Sequence, residues 1–210
     1  MPLSVGSRAM DYAAEKQYRR IWRGIDRIGE FATDAAHMRR FSDDPVDAAR
    51  ATFADCWHLK DWLKKDSRIA ATPRAGATAL DTYVNGCAYL PIAADIANSE
   101  KHAGQDRNAP RSGAQLAAVN ARFILTLPLG TDKTGLVKAL EEAFEGRNEN
   151  VENNDQVVFA YARRRAPAAR VELTYTVGAR VYQAFDLAKK CIGEWDAFLA
   201  AKGLAFSKQG

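Results

Sequence analysis

The sequence predicts an α+β protein that is mostly helical: an antiparallel helical bundle with a small antiparallel β hairpin or meander inserted before a C-terminal helix. Three observations carry this expectation. Apolar residues recur at spacings of three and four through most of the N-terminal half. A polar Gly/Pro stretch, Gly104 to Gly113, then ends the helical pattern, and strand-like runs follow it. The pattern returns to helical spacing at the end, where Phe185, Ala188, Ile192, Trp195 and Leu199 line one face.

The first helix is expected from about Asp11 to Phe31, with Arg40 as its furthest extent. Tyr18, Ile21, Trp22, Ile25, Ile28 and Ala32 mark the face that meets a core. On another face Lys16, Arg20, Arg23 and Arg27 form a basic stripe. One reading is a solvated face partly paired with Glu15, Asp26 and Glu30; the other is a surface that tracks phosphates. The second helix has a start signal in Asp43-Asp44-Pro45, an N-cap acid before a proline at the first helical position, with Asp47 in the first turn. Val46, Ala49, Phe53, Cys56 and Leu63 continue its buried stripe to Lys64 or Lys65. His58 stands one turn from Asp55 and from Asp61, so a carboxylate can fix its tautomer; a partly buried, satisfied histidine gives the same pattern.

Ser67 to Gly76 reads as a loop, Ala77 to Asn85 as a short helix, and Cys87 to His102 as the next long one, with Pro91 tolerated in its first turn. Ala103-Gly104 stops it. Beyond the Gly104–Gly113 loop, Val119 to Leu127 is strand-like and is closed by Pro128. Thr131 to Phe144 suggests a short helix, and 146–156 is Asn/Glu-rich. Val157 to Ala162 and Val171 to Val177 read as two strands joined by a basic loop holding Arg163, Arg164, Arg165 and Arg170. Gly178-Ala179 makes a further turn. The last helix is expected from about Tyr182 to Lys202, stopping at Gly203. The whole reads as one domain over 1–210: a helical part over 8–104, a β-containing insertion over 118–178, and a C-terminal helix over 180–203 packed on the bundle.

Composition bounds the function. The chain has 210 residues, a net charge of +4 and three cysteines, none in a CxxC pair. Such cysteines suit reduced core thiols in a cytoplasmic protein. No apolar run approaches the ~20 residues of a membrane span, so no membrane partner is expected. Met1 to Gly6 lacks the charged and apolar regions of a secretory signal. The mild basicity suits an anionic partner without requiring one. Phosphate-loop, dinucleotide, nucleophile-elbow and HExxH signatures are absent, and no cofactor is implied.

The chemistry-bearing stretch is Ala94-Asp95-Ile96-Ala97-Asn98-Ser99-Glu100-Lys101-His102. At 3.6 residues per turn, Asp95, Asn98 and His102 share a face. Two bland roles compete with a functional one: Asn98 satisfying a buried backbone group, and a cationic His102 at the helix C-terminus, worth ~0.3–1 kcal/mol. A third reading is a divalent metal held by Asp55, His58, Asp61, Asp95 and His102 on two facing helices. The Arg163–Arg165 loop with Arg170 reads either as a phosphate grip or as a solvated turn that keeps a hairpin soluble.

Together with His58-Leu59-Lys60-Asp61-Trp62 and the C-terminal Glu194-Trp195-Asp196-Ala197-Phe198-Leu199, this stretch resembles a group of bacterial helical proteins that in turn resemble HEPN-type domains. The resemblance spans residues 40–105 and 155–204. It implies a helical fold, dimerisation that joins two motifs into one site, and an RNA or protein partner in a bacterial defence or toxin–antitoxin setting. In the ribonucleases of that group an Arg-(four to six residues)-His motif cleaves RNA without metal, so His102, Asn98 and Lys101 would be the catalytic candidates. His58, Asp61 and Asp95 would support the site, and Arg163, Arg164, Arg165, Arg170, Arg20, Arg23 and Arg27 would hold nucleic acid. The chain departs from the pattern at Ala97, where the arginine that stabilises transition-state charge is expected. The resemblance therefore favours a binding module without catalysis, with a metal-independent endoribonuclease as the alternative.

Overall fold

A computed structural model describes residues 5–33, 45–69, 73–99, 110–113, 116–126 and 168–208. In chain order the described elements are α1 (Val5–Thr33), α2 (Pro45–Leu63), α3 (Pro73–Gly86), α4 (Leu90–Asn98), β1 (Leu116–Thr126), β2 (Ala168–Val177), β3 (Arg180–Gln183) and α5 (Ala184–Ala201). The expected class is therefore the observed one: mostly helical, with a small antiparallel sheet ahead of the C-terminal helix.

The stripe read from α1 is the face it buries. Ala14, Tyr18, Ile21, Ile25, Ile28 and Phe31 lie in the core, while Trp22 is only partly buried, beneath the Lys208 ammonium at 3.9 Å from its ring centre. α1 and α2 run antiparallel, since Gly24 meets Thr52 whereas Gln17 and Arg20 meet Asp55. The two helices approach closely at Gly24: a Cβ there would stand 2.3 Å from Thr52 Oγ1. The Asp43-Asp44 start signal of α2 lies outside the described residues, but Asp47 is in its first turn as expected.

α3 begins at Pro73, four residues before the expected Ala77. Pro73, which falls in the expected Ser67–Gly76 loop, instead opens the helix, because the first helical position needs no N–H and proline's φ suits it. The turn between α2 and α3 is held by Asp66, whose buried carboxylate accepts from Arg68 N at 2.9 Å, Nε at 3.0 Å and Nη2 at 2.7 Å. α4 is shorter than the expected Cys87–His102, running from Leu90 to Asn98 between Tyr89 and Ser99 as caps. Leu90, Pro91, Ile92, Ala93, Ala94 and Ile96 are all buried, so α4 is a core helix rather than a surface one.

β2 is the central strand, paired antiparallel to β1 from Val177↔Leu116 to Ala168↔Thr126, and to β3 over Thr174–Val177. Val171, Leu173, Tyr175 and Val177 point inward as the alternation required. Tyr175 meets Phe53 of α2 edge to face at 5.2 Å. Two expectations are corrected. Arg170 is not in a loop but in β2, opposite Ile124. Tyr182 is not helical: it lies in β3 opposite Tyr175, and α5 starts only at Ala184. Gly178, with φ 58, makes the two-residue turn that joins β2 to β3. The expected strand over 157–162, the short helix over 131–144 and the Asn/Glu-rich stretch all lie outside the described residues.

α5 is the keystone, and three successive residues near its middle each reach a different element. Glu194 caps α4. Trp195, fully buried, donates from Nε1 to the Cys56 carbonyl at 2.9 Å. Asp196 accepts from the Tyr18 hydroxyl at 2.6 Å. The helix ends in a Schellman turn: Gly203 (φ 68) donates to the Ala200 carbonyl and Leu204 to the Leu199 carbonyl, each at 2.9 Å. The chain then folds back along α1, where Phe206 meets Tyr18 edge to face at 5.6 Å.

Candidate functional site

The described part of the candidate stretch, Ala94 to Ser99, sits at the C-terminal end of α4, and the start of that helix is fixed from α5. The Glu194 carboxylate accepts from the backbone N–H groups of Ala88 at 2.8 Å, Tyr89 at 3.1 Å and Leu90 at 2.9 Å. These are orphan donors at a helix start, where negative charge is also favoured by the dipole. Pro91 follows, adding no further N–H. The Tyr83 hydroxyl donates to the Glu194 carbonyl, tying α3 to the same point.

The polar groups of the stretch divide into committed and reachable. Asp95 is committed. Its carboxylate accepts from Arg111 N at 2.8 Å, Ser112 N at 2.9 Å and Ser112 Oγ at 2.5 Å. That latch holds the 110–113 turn against α4 and aims the Arg111 guanidinium at Trp57, 4.8 Å from its ring centre. The Lys60 ammonium lies over the same ring at 3.5 Å. Burial pushes Lys60 below the usual lysine range, Arg111 and Lys64 add to that, and Asp61 and Asp81 oppose it. Asn98 is half-buried on the last turn of α4. Ala97 and Ile96 form one wall of an open groove of about 300 Å³, and Asp47, Arg50, Ala51 and Ala54 of α2 form the other. Arg50 brings a guanidinium to that groove, with Asp47 at 3.5 Å. Lys101 and His102 lie outside the described residues.

His58 Nδ1 donates to the Asp61 carboxylate across 3.1 Å, and both side chains are more than two-fifths exposed, at 43% and 49%. Asp55 turns the other way. It accepts from Gln17 Nε2 at 3.0 Å and pairs with Arg20 Nε at 2.8 Å. The carboxylates expected on either side of His58 thus serve different partners, and Asp95 serves a third. Among the described residues no group of three or more His, Cys, Asp or Glu side chains is arranged to hold a metal ion. Burial raises the Cys56, Cys87 and Cys191 thiols, Cys87 to about 11, which keeps them protonated and poorly nucleophilic.

Of the expected nucleic-acid residues, Arg20, Arg23 and Arg27 are exposed on α1. Arg170 is exposed on β2 and pairs with Glu172 at 3.2 Å. Arg163, Arg164 and Arg165 lie outside the described residues. Sequence reasoning missed Glu194, Arg111, Ser112 and Arg50. Glu194 enters the sequence reading only as the first residue of the Glu194–Leu199 run, and the residues it caps are more than a hundred positions away, so no local pattern could announce that role.

Among the described residues no helix is long and apolar enough to cross a membrane. No protein-family model, curated protein or solved structure matches this chain.

Proposed function

We propose that this chain is a HEPN-like helical module that binds a protein or nucleic-acid partner, in a bacterial defence or toxin–antitoxin setting, and does not cleave it. One observation supports the reading above the others: the groove wall at Ala97 carries only a methyl group, and the guanidinium on the opposite wall, Arg50 of α2, is paired with Asp47 at 3.5 Å. Phosphoryl chemistry without metal relies on a cation aimed at the developing charge. Here the position on the candidate helix that would supply it is filled by alanine, and the nearby carboxylate of Asp95 is spent on the 110–113 latch. What remains is a groove walled largely by small side chains, Ala51, Ala54 and Ala97, suited to contact rather than catalysis.

The test is to incubate the purified protein with a mixed RNA pool in EDTA, beside Asn98→Ala and His102→Ala. The reading expects all three proteins to leave the RNA intact. Cleavage by the wild type that both substitutions abolish would overturn it in favour of a metal-independent ribonuclease using Asn98 and His102.

A further inference from the structure

The exposed surface of α1 is divided by charge. Lys16, Arg20, Arg23 and Arg27 are all exposed and fall within an arc of about 60° at 3.6 residues per turn, spread over about 16 Å of helix axis. Glu15, Asp26 and Glu30 occupy the neighbouring arc, on the side away from α2, where Glu15 pairs with Arg19 at 2.9 Å. Arg19 stands among those acids, so that arc is mixed in sign; the basic strip holds no acid, and it is the one that borders α2. Arg20 is drawn to Asp55 at 2.8 Å; Lys16 and Arg23 are in no ion pair among the described residues.

The α2 side of this border carries an exposed aromatic. Trp62 is 38% exposed, one of two large hydrophobic side chains so exposed among the described residues. It lies seven residues beyond Asp55, hence on the same flank of α2, and Asp55 is the residue that grips Arg20. Because the two helices are antiparallel, Trp62 stands at the Lys16 end of the strip. A row of cations ending at an exposed indole is a poor surface for another protein's core. It matches a chain that presents a phosphate backbone to the cations and an unstacked base to the ring. Duplex ends aside, only a single strand offers both.

We propose that the α1 basic strip and Trp62 together form a docking surface for single-stranded nucleic acid. This rests on the reading of the chain as a partner-binding module but not on the α4 end. The two fail separately, since the cleavage assay judges Asn98 and His102 and the binding assay below judges the strip.

The test is fluorescence anisotropy of the full chain with a labelled single-stranded oligonucleotide of roughly 12 nucleotides, titrated over a range of salt. Wild type is expected to bind, with affinity falling as salt rises. Lys16→Gln with Arg23→Gln should weaken binding at least about tenfold and lower the salt slope by about 1.4, or ~0.7 for each phosphate no longer neutralised. Trp62→Ala should weaken binding roughly tenfold with the slope unchanged, the signature of lost stacking. Neutralising two exposed cations of α5, Lys189→Gln with Lys190→Gln, controls for net charge and should cost much less. Far-ultraviolet circular dichroism and thermal midpoints confirm that each variant is folded. The proposal is overturned if wild type does not bind at low salt, if a duplex of the same sequence binds as tightly, or if Lys16→Gln with Arg23→Gln or Trp62→Ala binds like wild type. A loss from the α5 pair as large as that from the α1 pair overturns it too.

Discussion

Replacing Glu194 should loosen the helix that carries the candidate stretch. In the native fold its carboxylate receives three backbone N–H groups at 2.8–3.1 Å, from exposed Ala88, half-buried Tyr89 and buried Leu90. In Glu194→Ala water can reach the Ala88 amide but reaches Leu90 poorly. An orphaned buried donor costs ~1–3 kcal/mol. Loss of negative charge at a helix start adds ~0.3–1 kcal/mol. Together with relaxation at Tyr89, the expected loss is about 2–4 kcal/mol. Glu194→Gln keeps one amide oxygen and loses the charge, so about half that is expected, ~1–2 kcal/mol. Urea unfolding followed by circular dichroism, with the m-value checked for constancy, measures both. A loss below ~0.5 kcal/mol for Glu194→Ala, the level of an ordinary surface change, would refute the claim that α5 holds the start of α4.

Three further outcomes follow from the same packing. Gly24→Ala should cost about 1–3 kcal/mol by overpacking, because its Cβ would meet Thr52 Oγ1 at 2.3 Å; Thr52→Ala in the same chain should recover much of it, and purely additive losses in the double-mutant cycle would contradict the close approach. Asp95→Asn should speed hydrogen exchange at the Arg111 and Ser112 amides, which donate to its carboxylate at 2.8 and 2.9 Å; unchanged exchange would mean that the latch does not hold that turn. Stability should fall as pH rises from 10 towards 12: burial and the hydrogen bond to Asp196 push the Tyr18 hydroxyl up from 10.0 to about 12. The folded chain thus keeps a proton that the unfolded chain releases, so the contribution is intact below the unfolded value and lost through the folded one. Tyr18→Phe should flatten this decline in the urea midpoint, and an equally steep decline in that variant would refute the assignment.

The periodic parts of the fold were readable because burial repeats along the chain. The stripes of α1, α2 and α5 and the alternation of Val171, Leu173, Tyr175 and Val177 all point at the core they were expected to form. The misreadings occurred where one residue supports two structures. Pro73 suits a loop or a first helical turn. Tyr182 continues the spacing of α5 but is drawn into β3 by pairing with Tyr175. Arg170 looked like part of a basic loop, yet β1 across the sheet extends the strand to include it. The site was less legible than the fold because its geometry rests on contacts between distant segments. Helical spacing puts Asp95 on one polar face with Asn98. Its carboxylate is in fact directed at backbone groups sixteen and seventeen residues later, an arrangement that helical spacing cannot express.

The central claim is that this chain holds its partner without cutting it, and one experiment reads both halves of that statement. A single-stranded RNA oligonucleotide labelled at one end is bound by the protein in EDTA, followed by anisotropy, and then recovered and sized on a denaturing gel. Binding should be salt-sensitive, and the RNA should be recovered at full length. Recovery of shortened RNA from the wild type but not from His102→Ala would contradict it.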